Sequence, residues 1–178
     1  GFNTPELASV VANSGGVGSF GFSFTSPEKI DSMLNITKKL TSGFINANFF
    51  VFKPVKLPEK RVQEQAIEAI QSLSFNQKYE INIPKEPFYF DLESQIEATL
   101  KNLPSIITFH LGIPSTNIIK KTQSLGIKVG ITATNIIEAK SIENVGADFI
   151  VAQGIEAGGH RGIFNQEDID EKIKLDNL

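Results

Sequence analysis

Between residues 106 and 153 brief apolar runs alternate with amphipathic stretches, and this rhythm limits the available folds more than any other feature. Ile106 to His110, Val129 to Thr132 and Phe149 to Gln153 are short and rich in β-branched or aromatic residues, as strands are. Ser115 to Leu125 and Asn135 to Val145 lie between them with helical spacing. A helix between two strands carries the chain back to its starting edge, so the strands run parallel. An α/β fold follows, wound on both faces of an open sheet or rolled into a barrel. Periodicity alone leaves both open.

The N-terminal part continues the pattern. Residues 3–14 read as a helix, capped by Asn3 or Thr4, with Pro5 in its first turn and Leu7, Val10 and Val11 as its apolar face. Val17 to Phe20 reads as a short strand. Ser26-Pro27-Glu28 then opens a helix whose Ile30, Met33, Leu34 and Thr37 share a side. Phe44 to Phe52 is apolar on both parities, which predicts a strand covered on two sides, although two asparagines interrupt it. Residues 53–105 break the rhythm with Pro54, Pro58, Pro84, Pro87 and Pro104 around helices expected at 59–73 and 91–102. This stretch is expected to be an insertion or an elaborated crossover within a domain of residues 1–164. The acidic tail, 165–178, has Ile169, Ile173, Leu175 and Leu178 as its apolar anchors and is expected to form a marginal helix or a frayed end.

Composition removes several function classes. A chain of 178 residues with 40% hydrophobic and 21% charged residues suits one soluble globular domain. The net charge of -3 offers no electrostatic footprint for nucleic acid or anionic lipid. Without cysteine there is no thiolate metal site and no thiol nucleophile. No uninterrupted apolar run and no basic-headed leader is present, so a cytoplasmic, non-membrane protein is expected. The chain begins with Gly1 and its one methionine is Met33, so a processed product or a piece of a longer chain is expected.

Parallel α/β folds bind ligands at the carboxyl ends of their strands. The polar residues falling there are Asn48, His110, Thr132 and Gln153, the last followed by GIEAGGHRG. Each taken singly is also readable as a strand-end group satisfied by nearby backbone. GVGSFG at 16–21 matches a dinucleotide pattern, but a helix precedes it and no acid follows at the ribose-binding distance, so flexible turns explain it better. His110 and His160 lack the spacing and carboxylates of a metal site, and no G-x-S-x-G elbow exposes a serine. Gly158 and Gly159 allow close approach to a flat or anionic ligand, His160 adds a titratable ring and Arg161 a fixed charge. A tight glycine turn with an exposed histidine is the alternative.

GADFIVAQGIEAGGHRG at 146–162, ITFHLGIPS at 107–115, ANSGGVGSFG at 12–21 and the asparagine-containing strand at 44–52 together resemble the nitronate monooxygenase family, formerly called 2-nitropropane dioxygenases. The resemblance runs from about residue 2 to 164. It implies an FMN-dependent TIM barrel that oxidises alkyl nitronates with molecular oxygen. By the same resemblance Asn48, Gln153 and Gly158 fall on flavin-binding positions and His160 on the catalytic histidine, while no metal is implied. His110 and Thr132 share the barrel mouth without an implied role. Family members begin with a strand carrying a Pro-Met turn and continue beyond Gly162. The expected barrel is therefore incomplete, with roughly five of its eight strands, and is expected to self-associate through exposed sheet edges. With a neutral nitroalkane, His160 is suited to act as base on the carbon beside the nitro group. The alternatives are a flavin-dependent enoyl-acyl carrier protein reductase, which has a similar loop, and an inactive truncated fragment.

Overall fold

The computed structural model describes residues 3–73, 80–165 and 172–178. Five strands, β1 (Gly18–Gly21), β2 (Ile45–Phe50), β3 (Ile106–His110), β4 (Lys128–Ala133) and β5 (Phe149–Ala152), form one sheet in the order 1-2-3-4-5. Every neighbouring pair is parallel. The helices are α1 (Pro5–Asn13), α2 (Pro27–Leu40), α3 (Lys60–Ser72), α4 (Leu92–Leu100), α5 (Thr116–Ser124) and α6 (Ile136–Asn144). The alternation visible in the sequence is thus observed. Local chemistry starts several of these helices: side chains of Thr4, Ser26, Asp91, Ser115 and Asn135 each accept the N–H three residues on.

Strand parity decides between the two architectures. The core takes Phe20, Phe22, Ile45, Ala47, Phe49, Ile107, Phe109, Val129, Ile131 and Ala133, which all share one parity of the registered sheet. Ile30 and Leu34 of α2, Ile96 and Leu100 of α4, Ile118 and Ile119 of α5 and Ile142 of α6 pack into the same cluster. The opposite parity carries Ser19, Asn46, Asn48, Thr108, His110, Thr132 and Gln153. Helices cover one face and a polar row lines the other. With the consecutive strand order, this is one side of a TIM-type barrel.

Two expectations need correction. β2 is not covered alike on both sides: Ile45, Ala47 and Phe49 are buried, whereas Asn46, Asn48 and Phe50 are half-buried. In α1 the buried residues are Ala8, Ser9 and Ala12, and Leu7, Val10 and Val11 are exposed. The reason is close approach. A Cβ on Gly18 would lie 2.1 Å from the Ala8 carbonyl oxygen, and one on Gly43 would lie 2.9 Å from that of Ala12. Only small residues fit where helix backbone meets strand backbone this tightly.

The stretch 53–105 divides. Residues 53–89 form a compact unit of their own, containing α3 and the Tyr89 hydroxyl that donates to the Lys53 carbonyl oxygen at 2.8 Å. The sheet unit comprises residues 1–52 and 90–178, and includes α4. There Gln95 is buried and its Nε2 donates to the carbonyls of Phe22 (3.0 Å) and Thr25 (2.8 Å), tying down the loop after β1. In the tail Leu175–Asn177 forms one 3-10 turn, and Ile169 lies outside the described residues. No helix among the described residues is long and apolar enough to cross a membrane.

Candidate functional site

Parallel pairing brings the carboxyl ends of all five strands to one edge, and the polar parity brings the candidate side chains to one face. Asn48 stands opposite Thr108 in the β2–β3 register, one layer below His110, which stands opposite Phe50. Thr132 lies in β4 opposite Val151, and Gln153 follows β5 directly. The five residues Asn48, His110, Thr132, Gln153 and His160 therefore rise through successive layers of one end of the sheet. Asn48 is the deepest.

The Asn48 amide meets the Thr108 hydroxyl. The Thr108 hydroxyl donates to Asn48 Oδ1 at 2.9 Å and accepts from Asn46 Nδ2 at 3.1 Å. The same hydroxyl lies 3.2 Å from Asn46 Oδ1, so its single proton has two amide oxygens to choose from, the Asn48 one being nearer. With Oδ1 on Thr108, the Asn48 NH2 group has no partner among the described residues.

The segment after β5 folds back over the strand ends and is pinned at several points. Gln153 uses both ends of its amide: Nε2 donates to the His160 carbonyl at 3.0 Å, and Oε1 accepts the Gly162 N–H at 2.7 Å. His110 Nε2 lies 2.9 Å from the same His160 oxygen. Only a protonated nitrogen can satisfy a carbonyl there, so Nε2 carries the proton and Nδ1 is left as an acceptor in the neutral ring. Burial lowers the His110 pKa from its ordinary value, the charge of His160 acts the same way, and the bond to the His160 carbonyl opposes both. Gly162 packs directly on this ring, since an added Cβ would stand 2.7 Å from His110 Cε1 and 3.0 Å from Thr132 Cγ2. The Arg161 guanidinium is held by strand-end carbonyls: Nη1 donates to the Gln153 carbonyl at 2.6 Å and Nη2 to the Thr134 carbonyl at 3.4 Å.

The His160 ring itself is exposed and lies edge-on to Phe50, with centroids 5.2 Å apart. Phe50 also meets His110 at 5.5 Å, Phe52 at 5.7 Å and Phe24 at 6.3 Å, so an aromatic wall flanks the histidines. Below them His110, Thr132, Val151, Gln153 and Glu156 line an open depression of about 700 Å³, bounded also by Leu175. Among the described residues no atom lies within 4 Å of a Cβ added to Gly158 or Gly159, and Gly159 has φ +79°. Among the described residues no cluster of three His, Asp or Glu side chains is arranged to hold a metal.

Sequence reasoning missed Glu138. It is 6% exposed, and its carboxylate accepts three hydrogen bonds: Oε2 from Thr134 N (2.7 Å) and Thr134 Oγ1 (2.8 Å), and Oε1 from Phe164 N (2.7 Å). Its spacing from the cap Asn135 is that of a capping box, the one signal in the sequence that singles it out. In such a box the acid turns back to the N–H of the cap; here it reaches past the cap to Thr134 and across to Phe164.

A family model described as nitronate monooxygenase matches residues 1–178. A nitronate monooxygenase from Paraburkholderia phytofirmans is 34% identical over 179 residues, covering 97% of this chain and 48% of its own length. One from Pseudomonas aeruginosa is 32% identical, covering 97% of this chain and 50% of its own length. Among solved structures, nitroalkane oxidase from Streptomyces ansochromogenes superposes with a TM-score of 0.78 at 25% identity, over 92% of this chain and 46% of that one. FabK from Thermotoga maritima superposes with a TM-score of 0.61 at 21% identity, over 89% and 39%, a likeness of fold. The chain spans about half the length of the curated relatives it matches.

Proposed function

This chain belongs to the nitronate monooxygenase family, and from that premise we propose that the protein oxidises alkyl nitronates with molecular oxygen, using FMN as its flavin in the cytoplasm. The reading rests on the pinned loop that sets His160 at the carboxyl edge of a parallel sheet, beside an aromatic wall.

The residues present suit a flavin ring. Asn48 offers an uncommitted NH2 donor on the polar face, and Gly158 leaves free the space a side chain would occupy. Asn48, Gln153 and the Gly158 backbone would hold the polar edge of the ring. A flavin held there would supply the redox chemistry between nitronate and oxygen. The protein's share is to bind, orient and move protons. The wall of Phe24, Phe50 and Phe52 would receive the alkyl part of the substrate. A neutral nitroalkane still carries a proton on the carbon beside its nitro group, and the exposed His160 imidazole is the base for that proton. A preformed nitronate has lost it already and needs His160 only for placement.

His160→Asn in the full-length protein is expected to lower oxidation of a neutral nitroalkane by at least about a hundredfold. Oxidation of the preformed nitronate falls much less, when both are compared at equal flavin content. Equal losses on both substrates would refute the role as base. Reduction of the bound flavin by NADH but not by nitronate would refute the reaction itself.

A further inference from the structure

We propose that Glu138, on the far side of β4 from the open site, is a positioning residue for His160, acting through the Phe164 backbone. The inference rests on the role proposed above for the His160 loop. That loop runs from Gln153 to Phe164. Its near end is held by the Gln153 side chain at the His160 carbonyl and the Gly162 N–H. Its far end is held by Glu138 Oε1, which accepts the Phe164 N–H at 2.7 Å across 26 residues of sequence.

A buried carboxylate is costly unless its oxygens are satisfied. Glu138 meets this condition with donors from two segments: Thr134 where β4 ends, and Phe164 where the loop ends. The same side chain belongs to the first turn of α6, whose cap Asn135 accepts the Glu138 N–H at 2.9 Å. One residue thus joins the strand end, the helix start and the loop exit. Phe164 packs against the core from its side-chain end, so the Glu138 bond sets the height and direction of its backbone. Two residues before Phe164, Gly162 lies against His110 and Thr132 with no spare room, so a shift at Phe164 passes to the histidine pair.

The test uses full-length protein with Glu138→Gln, and with Ile142→Val in the same helix as a control of comparable packing cost. A glutamine keeps the volume but can face only one of the two segments with its oxygen. Opposite Phe164 its NH2 meets another donor. Amide exchange read by mass spectrometry on the peptide 154–164 is expected to speed up by about tenfold or more in Glu138→Gln and to stay unchanged in Ile142→Val. The ratio of neutral-nitroalkane to nitronate turnover is expected to fall by about tenfold in Glu138→Gln alone. Should Glu138→Gln not fold, Glu138→Asp serves, because its shorter carboxylate keeps Thr134 and cannot also span to Phe164. Unchanged loop exchange, or an activity ratio equal to that of Ile142→Val, overturns the proposal. If wild-type protein oxidises neither substrate the function above has failed, while the exchange measurement still reads the Glu138 tie.

Discussion

Replacing Gly162 by alanine probes the packing on which the histidine pair depends. The φ of Gly162 lies outside the left-handed region, so alanine meets no backbone strain there. Its methyl group, however, would sit 2.7 Å from His110 Cε1 and 3.0 Å from Thr132 Cγ2. Carbon atoms rest at about 3.5–4.0 Å, so the overlap with His110 is roughly 1 Å. Thr132 is buried and belongs to a strand paired on both sides, so it cannot retreat. The imidazole must move, and doing so stretches its bond to the His160 carbonyl. Overpacking of this kind costs about 1–3 kcal/mol, and a lost hydrogen bond costs about 0.5–1.5 kcal/mol more. A total near 2–4 kcal/mol is expected, at about 2–4 °C of Tm per kcal/mol for a chain of this size. Gly158→Ala is the control, since its Cβ meets nothing within 4 Å, and its effect should stay within about 0.5 kcal/mol. Urea and thermal unfolding give the stabilities, and nitrogen-15 spectra of the His110 ring report whether Nε2 remains the protonated atom. If Gly162→Ala is as stable as Gly158→Ala with the His110 tautomer unchanged, the loop has slack and the packing argument fails.

Other expectations concern the titrating groups. Asp148 is held at about 2: burial alone would raise it, but Lys128 Nζ (2.7 Å), Val129 N (2.9 Å) and Gln123 Nε2 (2.9 Å) outweigh that by donating to the carboxylate. Its contribution to stability is therefore present above the unfolded value near 3.8 and is lost as pH falls through about 2. Urea unfolding of wild type and Asp148→Asn from pH 5 downward should show two curves that converge in acid, and parallel curves would refute the assignment. His110 has a lowered pKa, so the folded chain resists protonating it and stability should decline as pH drops below the usual 6.5. An NMR titration midpoint for His110 at or above 6.5 would contradict this.

The parallel α/β class was determined by the sequence alone, because strand and helix lengths are local properties: five residues of β-branched and aromatic type, a capping side chain, then helical spacing. Ser115 and Asn135 mark their helices as plainly in the sequence as in the structure. The polar strand ends were equally legible, since Asn48, His110, Thr132 and Gln153 interrupt apolar runs at similar points. Periodicity left an open sheet and a barrel both open; the family resemblance implied the barrel, and the register shows how its two faces are divided. The buried apolar strand residues prove to share one parity once Asn48 stands opposite Thr108 and His110 opposite Phe50. Helix α1 misled because its larger apolar residues face outward, where the glycine contacts with β1 and the loop before β2 leave space only for Ala8, Ser9 and Ala12. The tie between Glu138 and Phe164 had no local signature beyond a capping spacing. A hydrogen bond across 26 residues depends on how a strand, a helix and a loop converge, and that convergence is set by the packed sheet rather than by any window of sequence.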